Sequence, residues 1–157
     1  MAVFDLLPGD VALGYVGDQL KTLLGSCVSV ILTDPRRTVG VMCHIVHVGH
    51  PNAANKDNTA FGSVAMAEMT RRLYAIGFAP RSCEAYVVGG GNMFPQLVTH
   101  HHVGLNNVDW VMGYLAHHKI PVLKEDLGGT GYRKLVWTVG TAEPQVQTVM
   151  ASEGLNK

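Results

Sequence analysis

The stretch that decides the fold is Cys27-Val28-Ser29-Val30-Ile31-Leu32-Thr33, then Asp34-Pro35-Arg36-Arg37, then Thr38-Val39-Gly40-Val41-Met42-Cys43-His44-Ile45-Val46. Its two arms are rich in β-branched residues and roughly alternating, which reads as a pair of strands. The tetrapeptide between them reads as a turn: Pro35 pre-sets φ, and Asp34 can accept a local backbone hydrogen bond. If Thr33 faces Thr38 across a four-residue loop, counting back along both arms sets Cys27 opposite His44. Directly opposed residues have Cβ atoms about 4.5–5.5 Å apart. A shift of one residue would throw the pair onto opposite faces. A shift of two would leave them diagonal neighbours, still within reach of an imidazole.

Outward from this hairpin, Val11 to Val16 and Leu20 to Leu24 read as short strands flanking the Gly17-Asp18 turn. Val48 to Asn58 reads as a loop. Phe61, Ala65, Met69, Leu73 and Ile76 recur at helical spacing, with Arg71 and Arg72 in the last turns and Gly77 just past the end. Cys83 to Val88 reads as a buried strand ending in Gly89-Gly90-Gly91. A second helix carries Val108, Val111, Met112 and Leu115 on one stripe, with Asn106 as its expected N-cap and Asp109 at N3. Pro121 to Val149 reads as three strands separated by Gly128-Gly129 and Thr141-Ala142-Glu143-Pro144. Strands outnumber helices, and several neighbours are joined by hairpin-length turns. The expected class is α+β, with mostly antiparallel β-sheets flanked by two main helices.

Composition bounds the function. The 157 residues fit one domain, residues 1–157, with enough chain to bury a sizeable core. Twelve basic residues balance twelve acidic ones, leaving no surplus to neutralise phosphates, so a nucleic-acid partner is not expected. No apolar run approaches a membrane span, so no membrane insertion is expected. Met1 to Asp5 lacks the cationic start and apolar stretch of a secretory signal. Three cysteines, Cys27, Cys43 and Cys83, form neither an even disulfide set nor a close-spaced metal motif. A cytoplasmic location with reduced thiols is the expectation.

A thiol needs a neighbour to react at neutral pH. Free cysteine titrates near ~8.5, and a positioned histidine can lower that by several units. Cys27 also follows Gly25-Ser26, where glycine permits a sharp turn that exposes the next backbone N–H groups. With the Ser26 hydroxyl, these donors can hold the oxyanion of a tetrahedral intermediate. Against this stands the blander reading, in which Cys27 is a small buried hydrophobe and His44 a structural histidine. The residues alone leave both open. Other features point less far. His100-His101-His102 and His117-His118 lack a completing ligand at fixed spacing and read as solvated loop residues, so no metal is expected. Gly89-Gly90-Gly91-Asn92 lacks both the Walker A and the G-x-G-x-x-G patterns. It reads as a tight turn shaping the rim of the site, with Gly90 and Asn92 as candidate substrate-binding positions beside Gly25 and Ser26. Cys43 and Cys83 read as packing residues.

Thr22-Leu23-Leu24-Gly25-Ser26-Cys27-Val28, Asp34-Pro35 and Gly40-Val41-Met42-Cys43-His44 resemble the chemoreceptor glutamine deamidases of the CheD family. The likeness continues through Gly89-Gly90-Gly91-Asn92-Met93-Phe94 and Glu125-Asp126-Leu127-Gly128-Gly129. It implies a cysteine-hydrolase type sandwich without a cofactor, with Cys27 as nucleophile and His44 as base. The implied substrates are selected glutamines of methyl-accepting chemotaxis receptors, and the implied regulatory partner is a CheC-type phosphatase. The family pattern completes a triad with a threonine six residues before the cysteine, where this chain has Lys21. Thr22 stands one position later, so either the strand presents Thr22 or a backbone carbonyl takes the orienting role. Phe61-Gly62-Ser63 stands where the family often has Tyr-Ala-Asp, and His47-Val48-Gly49-His50-Pro51 replaces a Leu-Pro. Two alternatives accompany the deamidase: a cysteine amidase for small amides, and a non-catalytic chemotaxis module.

Overall fold

The computed structural model describes residues 1–97 and 102–150. Nine strands are interleaved with two main helices: β1 (Val3–Leu6), β2 (Val11–Tyr15), β3 (Gln19–Leu24), β4 (Val28–Thr33), β5 (Val39–Cys43), α1 (Gly62–Ala75), β6 (Glu84–Gly89), α2 (Val103–His117), β7 (Val122–Leu127), β8 (Tyr132–Thr138) and β9 (Gln145–Val149). They form a four-stranded sheet, ordered β1-β3-β8-β9, and a five-stranded sheet, ordered β2-β5-β4-β6-β7. Pairing is antiparallel except at β1–β3 and β6–β7. The class is therefore α+β and mostly antiparallel, as the patterning implies.

The layering explains which residues are buried. Every residue of β4 is buried, because the five-stranded sheet is covered on both faces. Val28, Val30 and Leu32 join Val41, Cys43 and Val87 under Ala65, Met69 and Leu73 of α1 and Val111 and Leu115 of α2. On the other face, Ile31, Met42 and Tyr86 meet Leu20, Leu24, Leu135 and Trp137 of the four-stranded sheet. Both helices thus lie on one side. Each large apolar side chain fully buried this way contributes about 1.5–3 kcal/mol. In β3 the period of two sends Leu20, Thr22 and Leu24 inward and leaves Leu23 exposed.

Three expectations are corrected. The Gly17-Asp18 turn forms with β2 and β3 on either side of it, but the two strands belong to different sheets and do not pair as hairpin-joined neighbours would. Asp18 instead receives the N–H groups of Tyr15 and Ala2, and so guides the chain from one sheet to the other. The second correction concerns α2, which begins at Val103. His102 caps it, its Nδ1 accepting from the Leu105 N–H at 3.1 Å, so Asn106 lies inside the first turn.

The third concerns register. Thr33 faces Gly40, Leu32 faces Val41 and Ile31 faces Met42, two residues away from the expected pairing. The Asp34-Pro35-Arg36-Arg37 turn does close, with the Arg37 N–H on the Asp34 carbonyl at 2.9 Å. Arg37 then adopts a left-handed φ of 59°, and Asp34 Oδ1 captures the N–H groups of both Thr38 and Val39. The loop therefore consumes two more residues than a four-residue connection. An isolated bridge between Val28 and Ile45 continues the observed register, so Val46 faces Cys27 and Ser29 faces His44. Cys27 and His44 are diagonal neighbours on the face that looks toward the four-stranded sheet.

Candidate active site

Three elements deliver the site. Cys27 directly precedes β4, His44 directly follows β5, and Thr22 reaches across from β3 in the opposite sheet. The His44 backbone is held on its far side by the Gly9-Asp10 segment that leads into β2: its N–H donates to the Asp10 carbonyl at 3.2 Å, and its carbonyl accepts from the Gly9 N–H at 2.9 Å. His44 is 2% exposed and Thr22 is 4% exposed, whereas Cys27 is only partly buried. The sulfur thus sits where the layer between the sheets opens to solvent.

The contacts of Thr22 determine the histidine tautomer. Thr22 Oγ1 lies 2.8 Å from the Leu6 carbonyl and 2.7 Å from His44 Nδ1. A carbonyl can only accept, so the single hydroxyl proton goes to Leu6, and Oγ1 accepts from Nδ1–H. That leaves the Nε2 lone pair as the basic position of the ring. Leu6 is available because β1 pairs in parallel with β3, Leu6 facing Thr22. Lys21 sits on the opposite side of the strand. The alternation that buries Leu20 and Leu24 presents Thr22, and no shift of the strand is needed.

The loop carrying Cys27 is braced by the glycine turn. The Gly90 N–H donates to the Cys27 carbonyl at 2.9 Å, and the Gly91 N–H to the Gly25 carbonyl at 3.0 Å. Gly89 has φ 124°, and a Cβ there would stand 2.3 Å from the Cys27 carbonyl oxygen, so only glycine permits this approach. Gly90 therefore braces the loop with its own N–H engaged. Among the described residues, no acceptor faces the N–H of Ser26 or of Cys27.

Electrostatics favour neutral groups at rest. Burial pushes the Cys27 thiol above its ordinary range. Burial also pulls His44 below its ordinary range, partly offset by the Asp10 carboxylate. This reverses the expectation of a thiol lowered by its histidine. An imidazole that is itself uncharged supplies no field to stabilise a thiolate.

Two recesses reach residues next to Cys27 and near His44 in the chain, one at Ser26 and the other at Val46. One, of about 250 Å³, is lined by Ser26, Gly91, Asn92, Met93, Phe94 and Val103 among others. The other, of about 340 Å³, is lined by Val46, His47, Phe61, Val103 and Asn107 among others. Ser26 and Asn92 thus lie on one recess. Gly25 lies behind the thiol, its carbonyl bonded to the glycine turn. His100 and His101 lie outside the described residues. His102 caps α2, and His118 stacks on Tyr114 at 4.0 Å. Cys43 and Cys83 are buried, their thiols pushed up to about 12 and about 11.

Sequence patterning does not reveal Asn107. It is 1% exposed and lies on the buried side of α2 with Gly104, Val111 and Leu115. Its Nδ2 donates to the Ser26 carbonyl at 3.0 Å and to the Val46 carbonyl at 3.3 Å. A polar residue in line with Val111 and Leu115 was the available signal.

Comparison with known proteins places the chain in a family. A family model described as CheD chemotactic sensory transduction matches residues 47–148. A protein of Albidiferax ferrireducens named probable chemoreceptor glutamine deamidase CheD 2 is 32% identical over 149 residues, spanning 92% of this chain and 86% of that protein. A Dechloromonas aromatica protein named probable chemoreceptor glutamine deamidase CheD 3 is 36% identical, spanning 89% and 86%. A probable chemoreceptor glutamine deamidase CheD of Methanococcus vannielii is 31% identical, spanning 82% and 83%. Among solved structures, a Neisseria meningitidis protein assigned to DUF152 superposes with a TM-score of 0.48 at 12% identity, over 83% of this chain and 65% of that one. With a family model covering residues 47–148 and relatives above 30% identity along most of its length, this chain belongs to the CheD family.

Proposed function

We propose that the chain is a cysteine amidohydrolase that deamidates selected glutamine side chains on the cytoplasmic helices of methyl-accepting chemotaxis receptors. The observation that carries this reading is the Thr22–His44 hydrogen bond beside Cys27, with the Ser26 and Cys27 N–H groups free of acceptors among the described residues. The substrate class rests on the names of the relatives.

In the proposed reaction His44 Nε2 takes the proton from Cys27 Sγ as the sulfur attacks the glutamine amide carbon. The amide oxygen becomes an oxyanion held by the Ser26 and Cys27 N–H groups. Thr22 Oγ1 holds the Nδ1–H of the imidazolium throughout. His44 then gives its proton to the amide nitrogen, the C–N bond breaks, and ammonia departs from a Cys27 thioester. Water, deprotonated by His44, attacks the thioester carbon and releases glutamate and the thiol. No step in this sequence calls for a cofactor. The recesses lined by Asn92 and Phe94 on one side and His47 and Phe61 on the other would seat the receptor segments flanking the glutamine. No helix among the described residues is long and apolar enough to cross a membrane. The proposed setting is the cytoplasm, where the receptor helices are exposed. A CheC-type phosphatase is the proposed regulatory partner, on family resemblance.

Incubation with cytoplasmic receptor fragments tests the reading. Ammonia release is expected from the wild type and not from Cys27→Ala. Equal release from free glutamine would indicate a small-amide amidase instead. Activity persisting in Cys27→Ala would reject a cysteine mechanism.

A further inference from the structure

The β4–β5 pairing ends one step before the nucleophile loop. Val28 and Ile45 exchange both hydrogen bonds, the Val28 N–H to the Ile45 carbonyl at 3.1 Å and the Ile45 N–H to the Val28 carbonyl at 2.8 Å. In an antiparallel ladder the next such pair would join Ser26 to His47. It does not form. The His47 N–H donates to the Ala60 carbonyl at 3.0 Å, and the His47 carbonyl accepts from the Gly62 N–H at 2.8 Å. The Ser26 carbonyl is thereby left without its ladder partner, and Asn107 supplies a replacement from α2. Its carboxamide bridges Ser26 on the Cys27 arm to Val46 on the His44 arm. Both protons of the NH₂ group are engaged, one on each carbonyl.

We propose that Asn107 is a positioning residue: by anchoring the Ser26 carbonyl it aims the Cys27 N–H at the oxyanion, and by bridging to Val46 it sets the spacing of the thiol and imidazole arms. The first part follows from peptide geometry. The Ser26 carbonyl and the Cys27 N–H belong to one planar trans unit and point in opposite directions. Turning the carbonyl into α2 therefore turns the N–H away from α2. The second part follows from where the ladder stops. Among the described residues no backbone pair beyond Val28 and Ile45 ties the two arms, and the amide is a tie observed there. A nearly fully buried carboxamide on the apolar side of a helix is costly unless its hydrogen bonds are made. Here both donors serve the residues that flank the thiol.

The kinetic consequence rests on the deamidase reading, so the test has an arm that does not. Asn107→Leu fills the space without donors, and Asn107→Gln keeps both donors on a longer arm. For receptor-fragment deamidation by folded protein, Asn107→Leu is expected to lower kcat about 10- to 100-fold, a larger effect than any rise in KM from the recess that Asn107 also lines, as misaiming one oxyanion donor implies. Asn107→Gln should fall between Leu and wild type. Independently of substrate, the pH–rate profile of Cys27 alkylation by iodoacetamide should be lowered in both variants at pH values below the thiol's own titration, because a displaced imidazole takes the thiol proton less readily as the sulfur attacks. The proposal is overturned by wild-type kcat in a folded Leu variant, or by a loss appearing equally as raised KM. An alkylation profile superimposable on wild type in either variant overturns it as well. If Leu does not fold, the Gln variant decides by the same two readouts. If wild type itself releases no ammonia, the deamidase reading fails, and the alkylation profiles still judge the clamp.

Discussion

Replacing Thr22 by valine keeps the shape of the side chain and removes only the hydroxyl that joins His44 Nδ1 to the Leu6 carbonyl. Two buried groups then lose their partner, the Nδ1–H and the Leu6 carbonyl. The fold should lose about 1–3 kcal/mol, the usual cost of a buried polar group left unpaired. For a chain of this size that is roughly 2–4 °C in Tm per kcal/mol. The catalytic effect should exceed what this stability change implies. In the ground state the Nδ1–H···Oγ1 bond is neutral, but it becomes charge-assisted once the ring has taken the thiol proton. Bonds to charged groups contribute about 1.5–3 kcal/mol. The neutral ground-state bond, about 0.5–1.5 kcal/mol, is lost as well, so only the difference of about 1–1.5 kcal/mol acts on turnover; at about 1.36 kcal/mol per tenfold, kcat should fall roughly 5- to 13-fold. KM should hardly move, since Thr22 is 4% exposed and lines neither recess. Thr22→Ser, which keeps the hydroxyl, should stay near wild type. The assay is steady-state ammonia release from receptor fragments below the melting transition. A Val variant with kcat within about threefold of wild type would refute the reasoning from the hydrogen-bond energies.

Four other outcomes follow from the structure. The acid limb of kcat/KM should fall below the ordinary histidine value of about 6.5, because burial lowers His44 and the base must be neutral. The alkaline limb should lie above the ordinary thiol range, because burial raises Cys27. An acid limb at or above the ordinary histidine value, or an alkaline limb at or below the ordinary thiol value, would contradict this. His44 also affects stability: the unfolded ring takes a proton near ~6.5 while the folded ring resists it, so this residue costs stability as pH falls through that range. Gly89→Ala should destabilise by about 2–4 kcal/mol and slow turnover, since its Cβ would press on the Cys27 carbonyl at a positive φ; thermal melts and kcat check both. Glu68, held at about 2 by Arg71 and Arg72, should contribute stability above its unfolded value of 4.5 that is lost as pH falls toward 2. Acid titration of Glu68→Gln beside wild type should show a shallower loss over that window.

Periodicity made most of the elements legible. The alternation of Cys27 to Thr33, the helical stripe of Ala65, Met69 and Leu73, and the three strands after Pro121 correspond to elements of the fold. Sheet membership was not legible. A period of two says which side of a strand is buried, not which neighbour it joins, so the sequence-adjacent β2 and β3 could not be assigned to separate sheets. β1 was not anticipated, although it supplies the carbonyl that orients Thr22. Register was missed by two residues because it depended on Asp34 gathering the N–H groups of Thr38 and Val39. The pairing of Cys27 with His44 survives that error, since a shift of two preserves the face. The choice of Thr22 over Lys21 was already implicit in the inward positions Leu20 and Leu24. The start of α2 was hidden because its cap is a histidine, outside the usual Ser, Thr, Asp and Asn. Asn107 depends on an unzipped ladder pair between distant segments, which no local pattern records.

The central claim is that one cysteine sulfur, activated by a histidine anchored through threonine, converts receptor glutamine to glutamate. Peptide mass mapping of receptor fragments after incubation with wild type, Cys27→Ala and His44→Ala measures this at the product itself. The account predicts amide-to-acid conversion at discrete glutamines with wild type and none above background with either variant. Conversion by Cys27→Ala at the wild-type rate, or none by wild type on any receptor fragment, would contradict it.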